Sequence, residues 1–128
     1  MNISQGIDIV SINRVKKVFD KYQSKFLIKI LSNKEKRIFD KNKKIKFIAN
    51  RFAGKEAFVK ALGTGFTGKI KIRDISILNN ESGKPIYEIT GETLKAIEEK
   101  NNINNVSFNI TLSDEKEYVI ALATIIWL

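Results

Sequence analysis

The sequence predicts an α+β fold with a mainly antiparallel sheet, a long central helix and several short helices. Residues 106–113 alternate apolar with polar side chains, which is typical of a half-buried strand. Residues 118–128 are almost continuously apolar, which indicates a strand that is central in its sheet or buried at a subunit interface. Residues 45–62 repeat apolar side chains at helical spacing, and Gly63 follows as a suitable left-handed cap.

Shorter apolar stretches, separated by turn residues, define the other elements. Ser11 is well placed to cap a helix, and Ser32 with Glu35 forms the pattern of a capping box. No linker, repeat or low-complexity segment interrupts residues 1–128, so we expect a single domain. The other predicted strands are 3–10, 71–78 and 85–90, the other predicted helices are 11–21, 22–31, 33–41 and 92–100, and a loop is predicted at 101–105.

The charge of the chain and its missing residue types narrow the possible functions. Lys and Arg number 23 against 14 Asp and Glu, and the net charge of +9 predicts a polyanionic partner: nucleic acid, an acidic protein or a phosphorylated small molecule. Cys and His are absent, so a metal would have to bind carboxylates and water, as Mg²⁺ does. No apolar run is long enough to span a membrane and no signal-peptide pattern begins the sequence, so we expect a cytoplasmic protein without membrane contact.

The central helix carries charges where a plain amphipathic helix has none. On a helical wheel Arg51 and Lys55 fall inside the apolar arc, and Glu56 lies at its edge with Lys60 one turn on. Partly buried charges need partners, so one interpretation is that the helix gathers cations and a carboxylate round an anion and a metal. The alternative is that Arg51 and Lys55 snorkel to solvent while Glu56 and Lys60 form an exposed pair worth ~0.3–0.5 kcal/mol.

Asp8 needs an explanation because aspartate is depleted in strands. It either caps the next helix or ligates a metal at the strand's end, and Ser11 is the better-placed cap. On the helix that follows, Arg14 and Lys21 belong to a basic ridge. That ridge is either a solvated face or a surface that docks an acidic helix.

Glycines mark two further positions. Gly54 costs up to ~1 kcal/mol relative to Ala within a helix, which indicates close packing of another backbone or a ligand. The loop from Gly63 to Gly68 has N–H groups that a phosphate could use. However, it follows a helix C-terminus, whose dipole repels anions.

The spacing of these residues resembles a known family. Gly6-x-Asp8, followed by Lys55-Glu56-Ala-x-x-Lys60-Ala-x-Gly63-x-Gly65, is similar to the short, holo-[acyl-carrier-protein] synthase form of the 4′-phosphopantetheinyl transferase superfamily. The resemblance runs nearly end to end and includes the closing stretch 111–118. This chain has Asp114 where many members carry histidine.

The resemblance implies the 4′-phosphopantetheinyl transferase fold and a reaction. Members transfer the phosphopantetheine arm of coenzyme A to a serine of apo acyl carrier protein, in fatty acid biosynthesis, and release adenosine 3′,5′-bisphosphate. It implies that Asp8 and Glu56 hold Mg²⁺ and that these two residues and Lys60 are catalytic. It implies homotrimers with coenzyme A bound between subunits, and carrier-protein docking by Arg14 and Lys21. The implied coenzyme A-binding residues are Arg51, Lys55, Lys60, Gly63, Thr64, Gly65 and Ser113.

Two rival functions come from other classes. A small basic nucleic-acid-binding domain would use the lysines on phosphates, but the chain has no recognisable nucleic-acid motif. A structural subunit that had lost its activity would not need Asp8, Glu56 and Lys60 together.

Overall fold

The computed structural model describes residues 1–100 and 103–128, and its elements follow the predicted order. Residues 101 and 102 of the predicted loop lie outside the described residues, and Ile103–Asn105 forms a 3₁₀ turn. Within the described part of the chain, no helix is both long and apolar enough to cross a membrane. The strands are β1 (Asn2–Ser11), β2 (Ile75–Asn79), β3 (Pro85–Ile89), β4 (Val106–Asp114) and β5 (Tyr118–Trp127), and the helices are α1 (Ile12–Tyr22), α2 (Ser24–Ile30), α3 (Asn33–Asn42), α4 (Ile45–Leu62) and α5 (Gly91–Lys100).

The main sheet has the strand order β1-β5-β4, with both pairs antiparallel. The prediction that the almost continuously apolar strand is central in its sheet is therefore confirmed for β5. Its register places Ala121 between Asp8 of β1 and Leu112 of β4. Ala121 and Ala123 are fully buried, because α4 covers this face of the sheet.

Helix α4 approaches β1 so closely that only glycine fits between them. A Cβ at Gly6 would clash with the carbonyl oxygen of Ala57 and would lie 2.6 Å from the amide nitrogen of Ala61. The Ser4 hydroxyl donates to the carbonyl oxygen of Ala61, which ties the two elements together. This close approach brings Asp8, two residues after Gly6, beside the helix.

The second hairpin, β2–β3, packs on the middle of α4. A Cβ at Gly54 would clash with the end of the Ile77 side chain and would lie 2.8 Å from Cδ1 of Ile110. The Tyr87 hydroxyl donates to the carbonyl oxygen of Gly54 at 2.6 Å. The sequence predicted that another backbone or a ligand packs closely at Gly54; the structure shows close packing there by the side chains of Ile77 and Ile110.

The strand predicted at 71–78 is wrong in its first part, because the strand begins at Ile75 and Ile72–Asp74 forms a 3₁₀ turn. The Asp74 carboxylate accepts from the Thr93 N–H at 3.1 Å and from the Thr93 hydroxyl at 2.9 Å. These bonds to the first turn of α5 favour the 3₁₀ turn at Ile72–Asp74 over pairing of these residues in a strand. The helix predicted at 22–31 is also shorter, because Gln23 has φ 51° and separates α1 from α2.

The predicted helix caps are confirmed. Ser11 accepts from the Arg14 N–H, and Ser32 and Glu35 form both bonds of the capping box. Gly63 caps α4 with φ 79°, in the left-handed region.

The face of the sheet opposite α4 exposes large apolar side chains. Ile3, Ile7 and Ile9 of β1 are 59%, 60% and 60% exposed. Ile120 and Tyr118, their neighbours on β5, are 40% and 43% exposed. We call these five residues the isoleucine face.

Candidate active site

Asp8, Glu56 and Lys60 come together where β1 crosses α4. The Lys60 ammonium donates to Asp8 Oδ1 at 3.0 Å and to the carbonyl oxygen of Ile7 at 3.0 Å. The Asp8 side chain is 16% exposed and that of Lys60 is 52% exposed. The ion pair of Lys60 is therefore with Asp8, and the alternative of an exposed Glu56–Lys60 pair is wrong.

The two carboxylates line one cleft of about 300 Å³. Burial, and then the negative charge of Asp8, raise the pKa of the Glu56 carboxyl, while Lys60 acts in the opposite direction. Arg14 of α1 lies at the same cleft. We call it the carboxylate cleft; its other lining residues are Ile9, Val10, Ser11, Val15, Val18, Phe26 and Phe52.

The carboxylate cleft suits a hard divalent cation. Asp8 and Glu56 repel each other there, and a bound cation would relieve that repulsion. The part of the chain that the structure describes contains no group of three His, Cys, Asp or Glu side chains around a common point. Mg²⁺ typically binds through one or two carboxylates and keeps several waters, so the donor set fits Mg²⁺.

A second cleft, of about 340 Å³, lies where α4, the β2–β3 turn and β4 meet. Arg51 lines it, with its guanidinium 4.1 Å from the centre of the Phe47 ring. Arg51 donates from Nε to the carbonyl oxygen of Ile77 at 3.0 Å and from Nη1 to the side chain of Asn50 at 2.9 Å. We call this the cationic cleft; its other lining residues are Asn79, Gly83, Lys84, Pro85, Ile110, Thr111, Leu112 and Asp114.

Asp114 does not leave an unpaired negative charge in the cationic cleft. Its Oδ1 accepts from the ammonium of Lys46 at 3.1 Å, and both side chains are partly exposed. Ser113, which the resemblance assigns to coenzyme A binding, is exposed on β4 beside these residues. A ligand in this cleft would thus meet the cations Arg51 and Lys84 and a neutralised carboxylate.

The structure contradicts the prediction that Lys55 contacts a phosphate of coenzyme A. Its side chain is fully buried, and its ammonium donates to Glu35 Oε1 at 2.5 Å and to the carbonyl oxygen of Ile30 at 2.6 Å. Burial lowers the pKa of Lys55, and the charge of Glu35 partly offsets this effect. Lys55 is therefore the partner of an internal carboxylate.

The glycine-rich loop does not present all its N–H groups to a ligand. The N–H of Gly63 donates to the carbonyl oxygens of Val59 and Lys60, and that of Thr64 donates to Val59. These bonds end α4, so a phosphate cradle made by the N–H groups of Gly63 and Thr64 is not supported. Gly65 is exposed with φ 64°, and its role in ligand binding stays a prediction.

The basic ridge of α1 borders an apolar groove that the sequence interpretation missed. Val18, Tyr22 and Ile28 are 38%, 49% and 51% exposed. The Lys21 ammonium lies 5.2 Å from the centre of the Tyr22 ring. Val18 and Phe26 line both this groove and the carboxylate cleft, so the two are adjacent. We call it the α1–α2 groove; Lys25 and Lys29 complete its lining.

Comparison with known proteins identifies the family. Residues 4–123 match the family model of the 4′-phosphopantetheinyl transferase superfamily. A relative from Aliivibrio fischeri named holo-[acyl-carrier-protein] synthase is 40% identical over 126 residues, which cover 98% of this chain and 96% of the relative. A relative of the same name from Ehrlichia canis is 42% identical over an alignment of 131 positions, which covers 98% of this chain and 94% of the relative.

Solved structures agree in fold. The crystal structure of holo-[acyl-carrier-protein] synthase from Neisseria meningitidis matches with a TM-score of 0.87 at 34% identity, covering 95% of this chain and 96% of that one. The structure from Bacillus anthracis, a complex with CoA (3′,5′-ADP), matches with a TM-score of 0.80 at 30% identity, covering 98% of this chain and 96% of that one. Full-length similarity in both sequence and fold shows that the chain belongs to the holo-[acyl-carrier-protein] synthase family of the 4′-phosphopantetheinyl transferase superfamily.

Proposed function

We propose that the chain transfers the 4′-phosphopantetheine group of coenzyme A to a serine of apo acyl carrier protein, in the cytoplasm, as a Mg²⁺-dependent step of fatty acid biosynthesis. The observation that carries this proposal is the pair Asp8 and Glu56 in one cleft, with the ammonium of Lys60 at Asp8. The relative from Bacillus anthracis, solved with CoA (3′,5′-ADP), supports coenzyme A as the donor.

In this reaction the serine oxygen bonds to the β-phosphorus of coenzyme A. The bond from that phosphorus to the bridging oxygen breaks, and adenosine 3′,5′-bisphosphate leaves with that oxygen. The serine proton passes to a general base, a role that the Asp8 carboxylate in the cleft can fill. When bound to Asp8 and Glu56, Mg²⁺ would supply positive charge to neutralise the pyrophosphate. Lys60 is half exposed, so its ammonium can donate to a phosphate oxygen while it still orients Asp8.

The cationic cleft is suited to the adenosine 3′,5′-bisphosphate end of coenzyme A, because Arg51 and Lys84 line it. On α4, however, Arg51 and Glu56 are separated by about 140° round the helix axis, and they line different clefts. The two ends of one coenzyme A would thus require clefts from two copies of the chain. The exposed isoleucine face supports such self-association.

Our proposal therefore includes active sites between the subunits of an oligomer, and the resemblance to the family implies that this oligomer is a homotrimer. We expect light scattering of the protein in solution to give the mass of three chains. A monomer at micromolar concentration that retained full activity would contradict sites shared between subunits.

The α1–α2 groove is suited to the acyl carrier protein, an acidic partner. It combines exposed apolar side chains with Lys25 and Lys29, and it adjoins the carboxylate cleft at Val18 and Phe26. A carrier protein docked in the groove would have its serine directed towards Asp8.

Arg14→Glu is expected to raise the KM for apo acyl carrier protein about tenfold and to raise the KM for coenzyme A less. Arg14 lines the carboxylate cleft next to the groove, where a reversed charge would repel an acidic partner. Lys95→Glu is the matched control, since Lys95 is exposed on α5 and lines neither the groove nor the two clefts. Equal increases in both KM values for Arg14→Glu would contradict the docking assignment.

The proposed function is tested most directly by intact mass spectrometry of apo acyl carrier protein after incubation with this protein, coenzyme A and Mg²⁺. We expect the carrier protein to gain the mass of one phosphopantetheine and EDTA to prevent the gain. Transfer that persists in EDTA would contradict the metal requirement. No transfer to several carrier proteins would contradict the activity itself.

A further inference from the structure

Glu35 lies at the centre of a buried network that no step of the proposed reaction uses. Its side chain is fully buried, and Oε1 accepts from the Ser32 N–H at 2.9 Å and from the Lys55 ammonium at 2.5 Å. Oε2 accepts from the Ile77 N–H at 2.8 Å, and Lys55 also donates to the carbonyl oxygen of Ile30. One ion pair thus connects α2, α3, α4 and β2.

Side chains bond both the N–H and the carbonyl oxygen of Ile77, which lie on the edge of β2 that faces away from β3. The Ile77 N–H donates to Glu35, and the Ile77 carbonyl oxygen accepts from Arg51 Nε at 3.0 Å. In an antiparallel strand the N–H and C=O of one residue point to the same side. Side chains therefore occupy the place that another strand would take. Because Arg51 bonds to the carbonyl oxygen of Ile77, the position of that carbonyl determines the position of the Arg51 guanidinium.

This arrangement reaches the cationic cleft by two routes. Within the described residues, Nε and Nη1 of Arg51 are bonded inside the chain, which leaves Nη2 as the nitrogen of this cleft-lining residue that can donate to a ligand. Two residues after Ile77, β2 ends at Asn79, and the turn that carries Lys84 begins. A shift of Ile77 would move both cations that line the cleft.

We propose that Glu35 and Lys55 are positioning residues for coenzyme A, which act by fixing Ile77 and, through it, Arg51 and the β2–β3 turn. This inference rests on the proposed function, in which Arg51 binds the adenosine 3′,5′-bisphosphate end. Stability alone does not explain the pair, because apolar residues of similar volume often replace a buried ion pair without loss of stability. The fixed geometry of Ile77 is what an apolar pair would not supply.

The test variant is Glu35→Asp, which keeps a carboxylate near Lys55 but is too short to remain in the capping box and also reach the Ile77 N–H. The matched control is Ser32→Ala, which removes the hydroxyl of the same capping box and its bond with the Ser76 hydroxyl of β2 but leaves the bond from the Ile77 N–H to Glu35 in place. In Glu35→Asp, the displaced Arg51 should lose about one charge-assisted bond to the ligand. The KM for coenzyme A and the Kd for adenosine 3′,5′-bisphosphate should therefore rise about tenfold. The KM for the carrier protein should not change.

The outcomes separate this inference from the proposed function. Transfer by the wild-type protein tests the function, and the variants test the positioning. If folded Glu35→Asp has an unchanged affinity for coenzyme A, the inference is wrong. It is also wrong if Glu35→Asp raises the KM for coenzyme A and the KM for the carrier protein equally, or if Ser32→Ala raises the KM for coenzyme A as much as Glu35→Asp does. If Glu35→Asp does not fold, the apolar pair Glu35→Leu with Lys55→Met takes its place, with the same expected result. Calorimetry measures the Kd for adenosine 3′,5′-bisphosphate in each variant.

Discussion

Replacing Glu56 by Gln is expected to stop phosphopantetheine transfer while making the metal-free protein more stable. Replacing a residue that hydrogen-bonds to a metal ligand typically lowers metal affinity or activity about 10–100-fold. Loss of a ligand itself should therefore lower kcat/KM at least about 100-fold. The gain in stability follows from the raised pKa of Glu56, because its charged form is disfavoured by burial and by Asp8 in the folded chain. The Gln side chain has the same size without that charge.

The pH dependence of unfolding provides a second readout for Glu56→Gln. A carboxyl whose folded pKa is above its usual value of 4.5 contributes stability below that value, and the contribution is lost as pH rises through the folded pKa. The metal-free wild type should lose this contribution with rising pH, whereas Glu56→Gln should not. Thermal unfolding of the metal-free proteins at a series of pH values measures this difference. In a second series with Mg²⁺, the metal should stabilise only the wild type.

Glu98→Gln is the control for this experiment, because Glu98 is exposed on α5 and lines neither of the two clefts. It should leave activity, the Tm and the response to Mg²⁺ unchanged. Full activity of Glu56→Gln would disprove the role of Glu56 in metal binding. A Tm of metal-free Glu56→Gln below that of the wild type would disprove the electrostatic argument.

Gly6→Ala is expected to cause the largest loss of stability of any variant considered. The added methyl group would clash with the Ala57 carbonyl oxygen and lie 2.6 Å from the Ala61 amide nitrogen, and these backbone atoms cannot rotate away. Overpacking costs typically about 1–3 kcal/mol and occasionally more. A clash with two backbone atoms favours the upper end of this range, at which Tm decreases by about 10 °C. Activity should also fall, because β1 would carry Asp8 away from Glu56.

The informative comparison for Gly6→Ala is Gly54→Ala. At Gly54 the new methyl group would meet only the ends of the Ile77 and Ile110 side chains, which can change rotamer. Alanine also favours the helix by up to ~1 kcal/mol over glycine. Calorimetry should therefore show a clearly smaller decrease in Tm for Gly54→Ala, and equal decreases would contradict the importance of the β1–α4 approach.

Patterns that depend on neighbours in sequence could be predicted well. The bounds of α4, the left-handed Gly63 and the capping box of Ser32 and Glu35 are all determined within one or two turns of chain. The pairing of Asp8 with Lys60 could not be predicted in this way, since 52 residues separate them. Only the resemblance to a family placed Asp8, Glu56 and Lys60 in one site.

The error at Lys55 has a clear physical origin. The helical wheel placed Lys55 in the core, as the structure does, but the wheel gives no information on the anion that accompanies it. That anion is Glu35, whose carboxylate was already assigned to a helix cap. A carboxylate has two oxygens and several acceptor sites, so one side chain serves the cap, the lysine and Ile77 together.

The exposed isoleucines show a different limit. Alternation in β1 separates Ile7 and Ile9 from Gly6 and Val10, but it does not tell which set faces the helix. The deciding fact is the small size of Gly6, which allows α4 to approach on its side.

The position of β5 between β1 and β4 has a consequence for how the chain is made. Among the described strands β1 pairs only with β5, and Asp8 lies opposite Ala121. At typical rates of translation the ribosome adds Ala121 on the order of 10 s after Asp8. During that interval the backbone of β1 has no strand partner, so a nascent chain cannot complete the sheet that holds Asp8, and the apolar side chains of β1 are available to chaperones.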